Sequence, residues 1–276
     1  MSTQFAERPT TSGEVAEAPR KPVPVPRLTA AARRGWRDLA TPSEPGRPYD
    51  PDMVRDLPAP ARRWLNHAIR AGTPLRGAAL LEMRGRIRLG AWWPSFHATQ
   101  ILSPPSGFVW AATAHAAGLT VRGYDRYSGG KGEMRWRLMG AVPVMSAKGP
   151  DISLSAAGRL ASEFVFVPAV ALSPAVRWEP VDDQRARAHV AIAGRDHAVT
   201  LTVAPDGALR VVSLPRWGSP GNGPFREHPF SVIVEEEAAF GGYTIPSTVS
   251  AGWSWGSERQ PAGEFIRFTL DRADHF

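Results

Sequence analysis

From Leu80 onward, apolar residues recur at every second position rather than every third or fourth. Leu81, Met83, Ile87 and Leu89 interleave with Glu82, Arg84, Arg86 and Arg88. The same spacing holds for Met134, Trp136 and Leu138, and for Val199, Leu201 and Val203. It returns at Val249, Ala251, Trp253 and Trp255, and at Ile266, Phe268 and Leu270. Successive side chains of a strand point to opposite faces, so each segment carries one buried face and one wet face. One-sided burial argues against a doubly wound parallel sheet. It predicts a mainly β, antiparallel domain.

The turns agree with this reading. Pro205-Asp206-Gly207 separates two strand-like runs, and Ser128-Gly129-Gly130-Lys131-Gly132 separates two more; both read as hairpins. The pattern supports roughly nine to eleven strands, within the boundary errors of such a reading. So many twisted strands must curl into a large curved sheet or an open barrel. Two helices accompany them, giving a minor helical part. Ala61, Trp64, Leu65, Ala68 and Ile69 recur at helical spacing over about Ala59–Ala71, with Gly72 and Pro74 as stop signals. A second, inserted helix runs from Asp151 to about Phe164 and ends before Pro168.

Three regions follow. Residues 1–40 read as a disordered, basic, proline-rich tail with a short helical segment around Ala30–Leu39. Residues 41–57 read as a proline-rich linker, and 58–276 as a single antiparallel β domain. The run Lys21–Pro26 alternates proline with valine and favours extended polyproline conformations. Its plain reading is a solvated tail; its sharper one is a docking arm for a protein partner.

Charge is distributed unevenly. The chain carries a formal net charge of +7. Much of that excess lies in residues 1–37, where Arg8, Arg20, Lys21, Arg27, Arg33, Arg34 and Arg37 face only Glu7, Glu14 and Glu17. The remainder is close to balanced, so no nucleic-acid partner is expected. No apolar run is long enough for a membrane-spanning helix. The first residues show no basic-then-apolar leader, so a cytoplasmic location is expected. The absence of cysteine excludes disulfides, thiolate metal sites and a cysteine nucleophile. The seven histidines show no metal-binding spacing, and neither a metal nor a cofactor is expected. The Gly-Gly-Lys-Gly loop fails as a phosphate loop, because no Ser or Thr follows the lysine and no helix follows the loop.

Two clusters could carry chemistry. In Arg122-Gly123-Tyr124-Asp125-Arg126-Tyr127, Tyr124 shares a face with Arg122 and Arg126, and Asp125 shares the other with Tyr127. Whichever face is interior buries a charged group that needs a partner. Arg159 and Glu163 stand four residues apart on the inserted helix, with Ser155 four residues earlier. A surface ion pair, contributing under about 1 kcal/mol, is the favoured account of that spacing. Trp110, Trp136, Trp253 and Trp255 fall on the apolar side of strand-like segments. Such residues fill a barrel or wall a cavity. Trp92-Trp93-Pro94 sits at a strand junction and could close a mouth.

Gly123-Tyr124-Asp125-Arg126-Tyr127, Ser155-Ala-Ala-Gly-Arg159-Leu, Val167-Pro168 and Arg177-Trp178-Glu179-Pro180-Val181-Asp182-Asp183 together resemble an uncharacterised bacterial family of unknown function, over roughly residues 57 to 272. That resemblance implies no activity. More loosely, the element order resembles the curved half-barrels of bacterial lipoprotein carriers, which bind acyl chains in a concave face; this chain departs from them in lacking an export signal.

The leading expectation is therefore a binder of a small hydrophobic or amphipathic molecule in a concave face. Trp110, Trp136 and Trp253 would wall the site, Tyr124 and Arg126 would meet the polar end, and Arg159 would lie close by. An enzyme using Asp125 or Glu163 in acid–base chemistry is the second reading. A scaffold docking through residues 1–40 is the third.

Overall fold

The computed structural model describes residues 28–41, 46–116 and 118–276. The proline-rich arm of residues 1–27 lies outside the described residues. Thirteen antiparallel strands form one sheet among those described. They are β1 (Ala79–Ile87), β2 (Ser95–Ser103), β3 (Gly107–Ala116), β4 (Leu119–Ser128), β5 (Lys131–Leu138) and β6 (Val142–Lys148), then β7 (Val176–Pro180), β8 (Arg185–Ile192), β9 (Arg195–Val203), β10 (Leu209–Gly218), β11 (Arg226–Phe240), β12 (Tyr243–Trp253) and β13 (Glu264–His275). The sequence pattern indicated roughly nine to eleven strands. Edge strand β6 escapes it because its side chains are exposed on both faces, and no alternation is imposed there.

Two meanders make the sheet. β1 to β6 pair in sequence, β7 to β13 pair in sequence, and β1 joins the halves by pairing with β13. That seam runs from Ala79 opposite His275 to Ile87 opposite Ile266, with a bulge between Glu82 and Met83. The sheet stays open, with β6 and β7 as its free edges.

The chain must then travel from one free edge to the other. It does so as α3 (Pro150–Ser162) followed by 3-10 turns at Glu163–Phe166 and Pro168–Leu172. The inserted helix expected from Asp151 to about Phe164 thus ends at Ser162, and Glu163 caps it. α3 packs on the concave face and touches β3 to β6 of one half and β8 to β10 of the other. Gly132 lets it lie against β5, since a Cβ there would sit 2.7 Å from the Ile152 carbonyl oxygen.

Two further helices flank the sheet. α2 (Ala59–Ala68) plugs the end where the crossing terminates, with Trp64 against Phe164 and Trp178. It stops three residues before the Ala71 expected, because Ile69 leaves helical geometry to bridge Tyr243. α1 (Ala30–Leu39) lies on the opposite, convex face. Its Trp36 is fully buried with Leu80, Ile101, Val109 and Phe276. The Thr29 hydroxyl caps this helix and bonds the Tyr124 hydroxyl at 2.9 Å.

His275 ties the last strand to the crossing. Its Nε2 lies 2.9 Å from the Phe166 carbonyl oxygen and its ring stacks on Tyr243. Burial pushes its pKa down from 6.5 to about 4. A base with a depressed folded pKa stabilises the fold fully above the unfolded value and loses that contribution as pH falls to the folded one. Stability should therefore drop by up to about 3 kcal/mol between about pH 6.5 and pH 4 from this group. Urea titrations across that window should show the slope, and His275→Gln should flatten it; an unchanged slope would refute the assignment.

Candidate functional site

The concave face is filled at its α2 end and hollow toward the other. A cavity of about 390 Å³ lies between α3, β1 to β6 and β10 to β13. Leu81, Met83, Phe108, Trp110, Trp253 and Phe268 contribute to its apolar wall. Trp110 packs edge-on to Phe96, and Trp253 packs edge-on to Phe230. The cavity reaches the surface at Leu89 and Met145, both of which line it and are exposed.

Seven charged residues line this cavity: Arg88, Arg126 and Glu133 at its margin, and Asp125, Arg159, Glu163 and Arg216 around α3. Arg159 is the hub. Its Nε donates to Glu163 Oε1 at 2.7 Å, Nη1 to Asp125 Oδ2 at 3.3 Å, and Nη2 to Gln100 Oε1 at 3.3 Å. Gln100 Nε2 donates to the second Glu163 oxygen at 2.6 Å, and Trp136 Nε1 to the second Asp125 oxygen at 2.9 Å. The guanidinium also lies over the rings of Phe108 and Trp110, at 4.5 and 5.2 Å from their centroids. All four carboxylate oxygens thus accept a bond. Burial pushes the Asp125 carboxyl above its ordinary range, with Arg159 pulling the other way.

This corrects the surface reading of Arg159 and Glu163. Spacing of four places two residues on one face of a helix but does not say which way that face turns. Here α3 crosses the concave side, so both side chains are more than four-fifths shielded and meet partners from β2 and β4.

Arg216 has a different environment. It reaches the cavity from β10, with Nε 3.3 Å from the Ser155 carbonyl oxygen. Its guanidinium lies 4.7 Å from the Phe230 ring centroid and 5.1 Å from that of Trp253. Gly158 makes room for its stem, since a Cβ there would sit 3.1 Å from Arg216 Cγ. No carboxylate lies within salt-bridge distance of it among the described residues. Burial, with Arg159 adding repulsion, pulls its pKa down to about 10, against the attraction of Glu163 and Asp125.

Other expected site residues divide between the faces. Trp110 and Trp253 wall the cavity, while Trp136 stands beside Trp110 and holds Asp125. Tyr124 and Arg126 do not meet a polar end inside. Tyr124 turns to the convex face to anchor α1. Arg126 lies at the cavity margin, where alternation turns its side chain to that same convex face and its Nε bonds Glu133 at 2.8 Å. Asp125 is the interior charge of this strand. Trp255 lies past the end of β12, because Ser254 takes a positive φ and breaks the strand. Gln100 and Arg216 were missed. Each continues an apolar face at spacing two, Gln100 after Phe96 and Ala98, Arg216 after Val212 and Leu214.

Among the described residues no group of three or more His, Asp or Glu is placed to hold a metal ion. No helix among them is long and apolar enough to cross a membrane.

Removing the hub would leave two carboxylates buried without their cation. Arg159→Ala should therefore cost about 3–5 kcal/mol in urea unfolding. A loss under about 1 kcal/mol would instead match an exposed pair.

Comparison with known proteins completes the description. No curated protein matches the sequence. The chain is similar in structure to a LolA superfamily protein from Nitrosomonas europaea, at TM-score 0.44 and 11% identity, covering 79% of this chain and 92% of that one. A domain from Vibrio parahaemolyticus named for outer membrane lipoprotein sorting aligns at TM-score 0.36 and 10% identity, covering 72% and 85%. A DUF1329 family protein from Desulfovibrio piger aligns at TM-score 0.31 and 9% identity, covering 72% and 86%. Residues 47–265 match a family described as of unknown function, DUF6544, and the chain belongs to that family.

Proposed function

We propose that the protein binds a small amphipathic molecule in the concave cavity, with its apolar part against the aromatic wall and a negatively charged head on Arg216. One observation carries this reading. Arg216 projects a shielded guanidinium into a largely apolar cavity and, among the described residues, has no carboxylate within salt-bridge distance, Asp125 and Glu163 attracting it only from further off. An unpaired buried charge is costly, and a ligand that supplies the missing anion relieves that cost. The neighbouring Arg159 is already neutralised by Asp125 and Glu163, so the ligand's head meets one open cation rather than two.

The cavity's size supports the same class. At about 390 Å³ it falls within the range of roughly 300–1,000 Å³ usual for small-molecule sites. Its wall is mainly aliphatic and aromatic, which suits a hydrocarbon or ring system. The acid–base alternative at Asp125 or Glu163 has less support, because both carboxylates are held on both oxygens by the hub network.

A saturated fatty acid and the alcohol of the same chain length separate the two contributions. By isothermal titration calorimetry, the acid should bind about tenfold or more tighter than the alcohol, the value of one charge-assisted hydrogen bond. Arg216→Met, with its fold checked by circular dichroism, should erase that preference while retaining the alcohol. Equal affinities in the unmodified protein, or a preference that survives the substitution, would overturn the reading.

A further inference from the structure

The two ends of the sheet are unlike. One is covered by α2 and residues 46–75, which pack against the turns at Gly207 and Gly242. Among the described residues the other end has no such cover. In the β1–β6 half it carries the hairpin at residues 88–94, the β3–β4 connection and the turn at 139–141. The pairings of Arg86 with Ser95, Ala116 with Leu119 and Leu138 with Val142 place all three on the same rim.

Large apolar side chains project from this rim into solvent. Trp92 is 62% exposed and Met139 63%, with Leu89, Leu119, Val142 and Val144 close to half exposed or more. Of the nine large hydrophobic residues that are exposed among those described, seven lie on these hairpins or on β6 next to them. Exposed apolar residues scattered singly need no explanation, but a contiguous set marks a contact surface.

The charges on these three hairpins are of one sign, while Glu258 and Glu264 belong to the neighbouring β12–β13 connection, where Glu264 is paired with Arg267. Residues 86–97, 115–124 and 135–146 contain no Asp or Glu and carry Arg86, Arg88, Arg122, Arg135 and Arg137. All five arginines are exposed, and His97 stacks on His115 between them. Arg135 is paired with Glu133, while Arg88 and Arg137 bond backbone carbonyls of the turns. Their remaining donors, with Arg86 and Arg122, face outward.

We infer that this rim docks on an anionic lipid bilayer, with Trp92, Leu119 and Met139 entering the interface and the arginines meeting the headgroups. Apolar tips ringed by an excess of cations have the chemistry of an interfacial anchor. Each basic residue held near an anionic surface adds to the attraction. The cavity opens on the same rim, at Leu89 and Met145, so docking would set its mouth against lipid. The surface argument does not depend on the cavity being filled.

Co-sedimentation of the full chain with vesicles tests it. Phosphatidylcholine vesicles containing phosphatidylglycerol should pellet the protein about tenfold or more better than phosphatidylcholine alone, and added salt should weaken the effect. Trp92→Ser combined with Met139→Ser should cut binding to the mixed vesicles about tenfold or more. Arg86→Ser with Arg122→Ser should reduce it towards the phosphatidylcholine level. The basic residues of 1–27 remain in every variant, so a loss reports the rim. Arg216→Met should bind vesicles like the unmodified protein, which keeps failure of this inference distinct from failure of the ligand reading. Equal pelleting by both vesicles, or rim variants that pellet unchanged, would overturn the inference. So would a dimer that the rim substitutions dissociate in light scattering without any vesicle binding, since the surface would then belong to a second copy.

Discussion

The pairing of the first strand with the last governs the architecture. Because β1 takes β13 as a neighbour, the free edges fall at β6 and β7, in the middle of the sequence. The chain between those edges must cross the sheet, and it crosses on the concave side as α3. Start and end of the chain therefore close the seam while its centre fills the hollow. β1 is suited to that position, since Ala79, Leu80 and Leu81 are buried on both faces. Leu80 lies under Trp36 on the convex side, and Leu81 joins the main core on the concave side.

The crossing has an electrostatic consequence. α3 brings Arg159 and its capping residue Glu163 into a space walled by Phe108 and Trp110, where water is scarce. Such a pair holds only when its remaining donors and acceptors are met. Gln100 from β2 and Asp125 from β4 meet them, and Trp136 completes Asp125. The network pins the helix to the β1–β6 half, while Arg216 touches it from the other through the Ser155 carbonyl. Between the two anchors lies the cavity. Among the described residues one guanidinium is saturated by protein groups and the other is not, and on the proposed function that asymmetry would set the site's chemical preference.

Strands were legible in the sequence because each carries one dry face, and period two records that directly. Which face of the sheet is concave was not legible. In Tyr124-Asp125-Arg126-Tyr127 both sides of the strand carry a charge or a phenol, and local alternation is the same either way. The choice is made by distant partners: Thr29 takes Tyr124 outward and Arg159 takes Asp125 inward. The same holds for Arg159 and Glu163, whose spacing fits a wet surface as well as a buried hub. Arg216 left a trace in its position after Val212 and Leu214, a charge continuing an apolar face, but Pro215 and Trp217 obscure the alternation around it.

The central claim is that the hollow beneath α3 is an occupied site rather than a packing defect. Native mass spectrometry of the full chain, purified without detergent, addresses it directly. The account predicts a population heavier than the polypeptide by one small amphiphile, which extraction releases and identifies as an anion. A spectrum showing only the bare chain, from protein that also takes up no amphiphile when incubated with a mixed lipid extract, would contradict it.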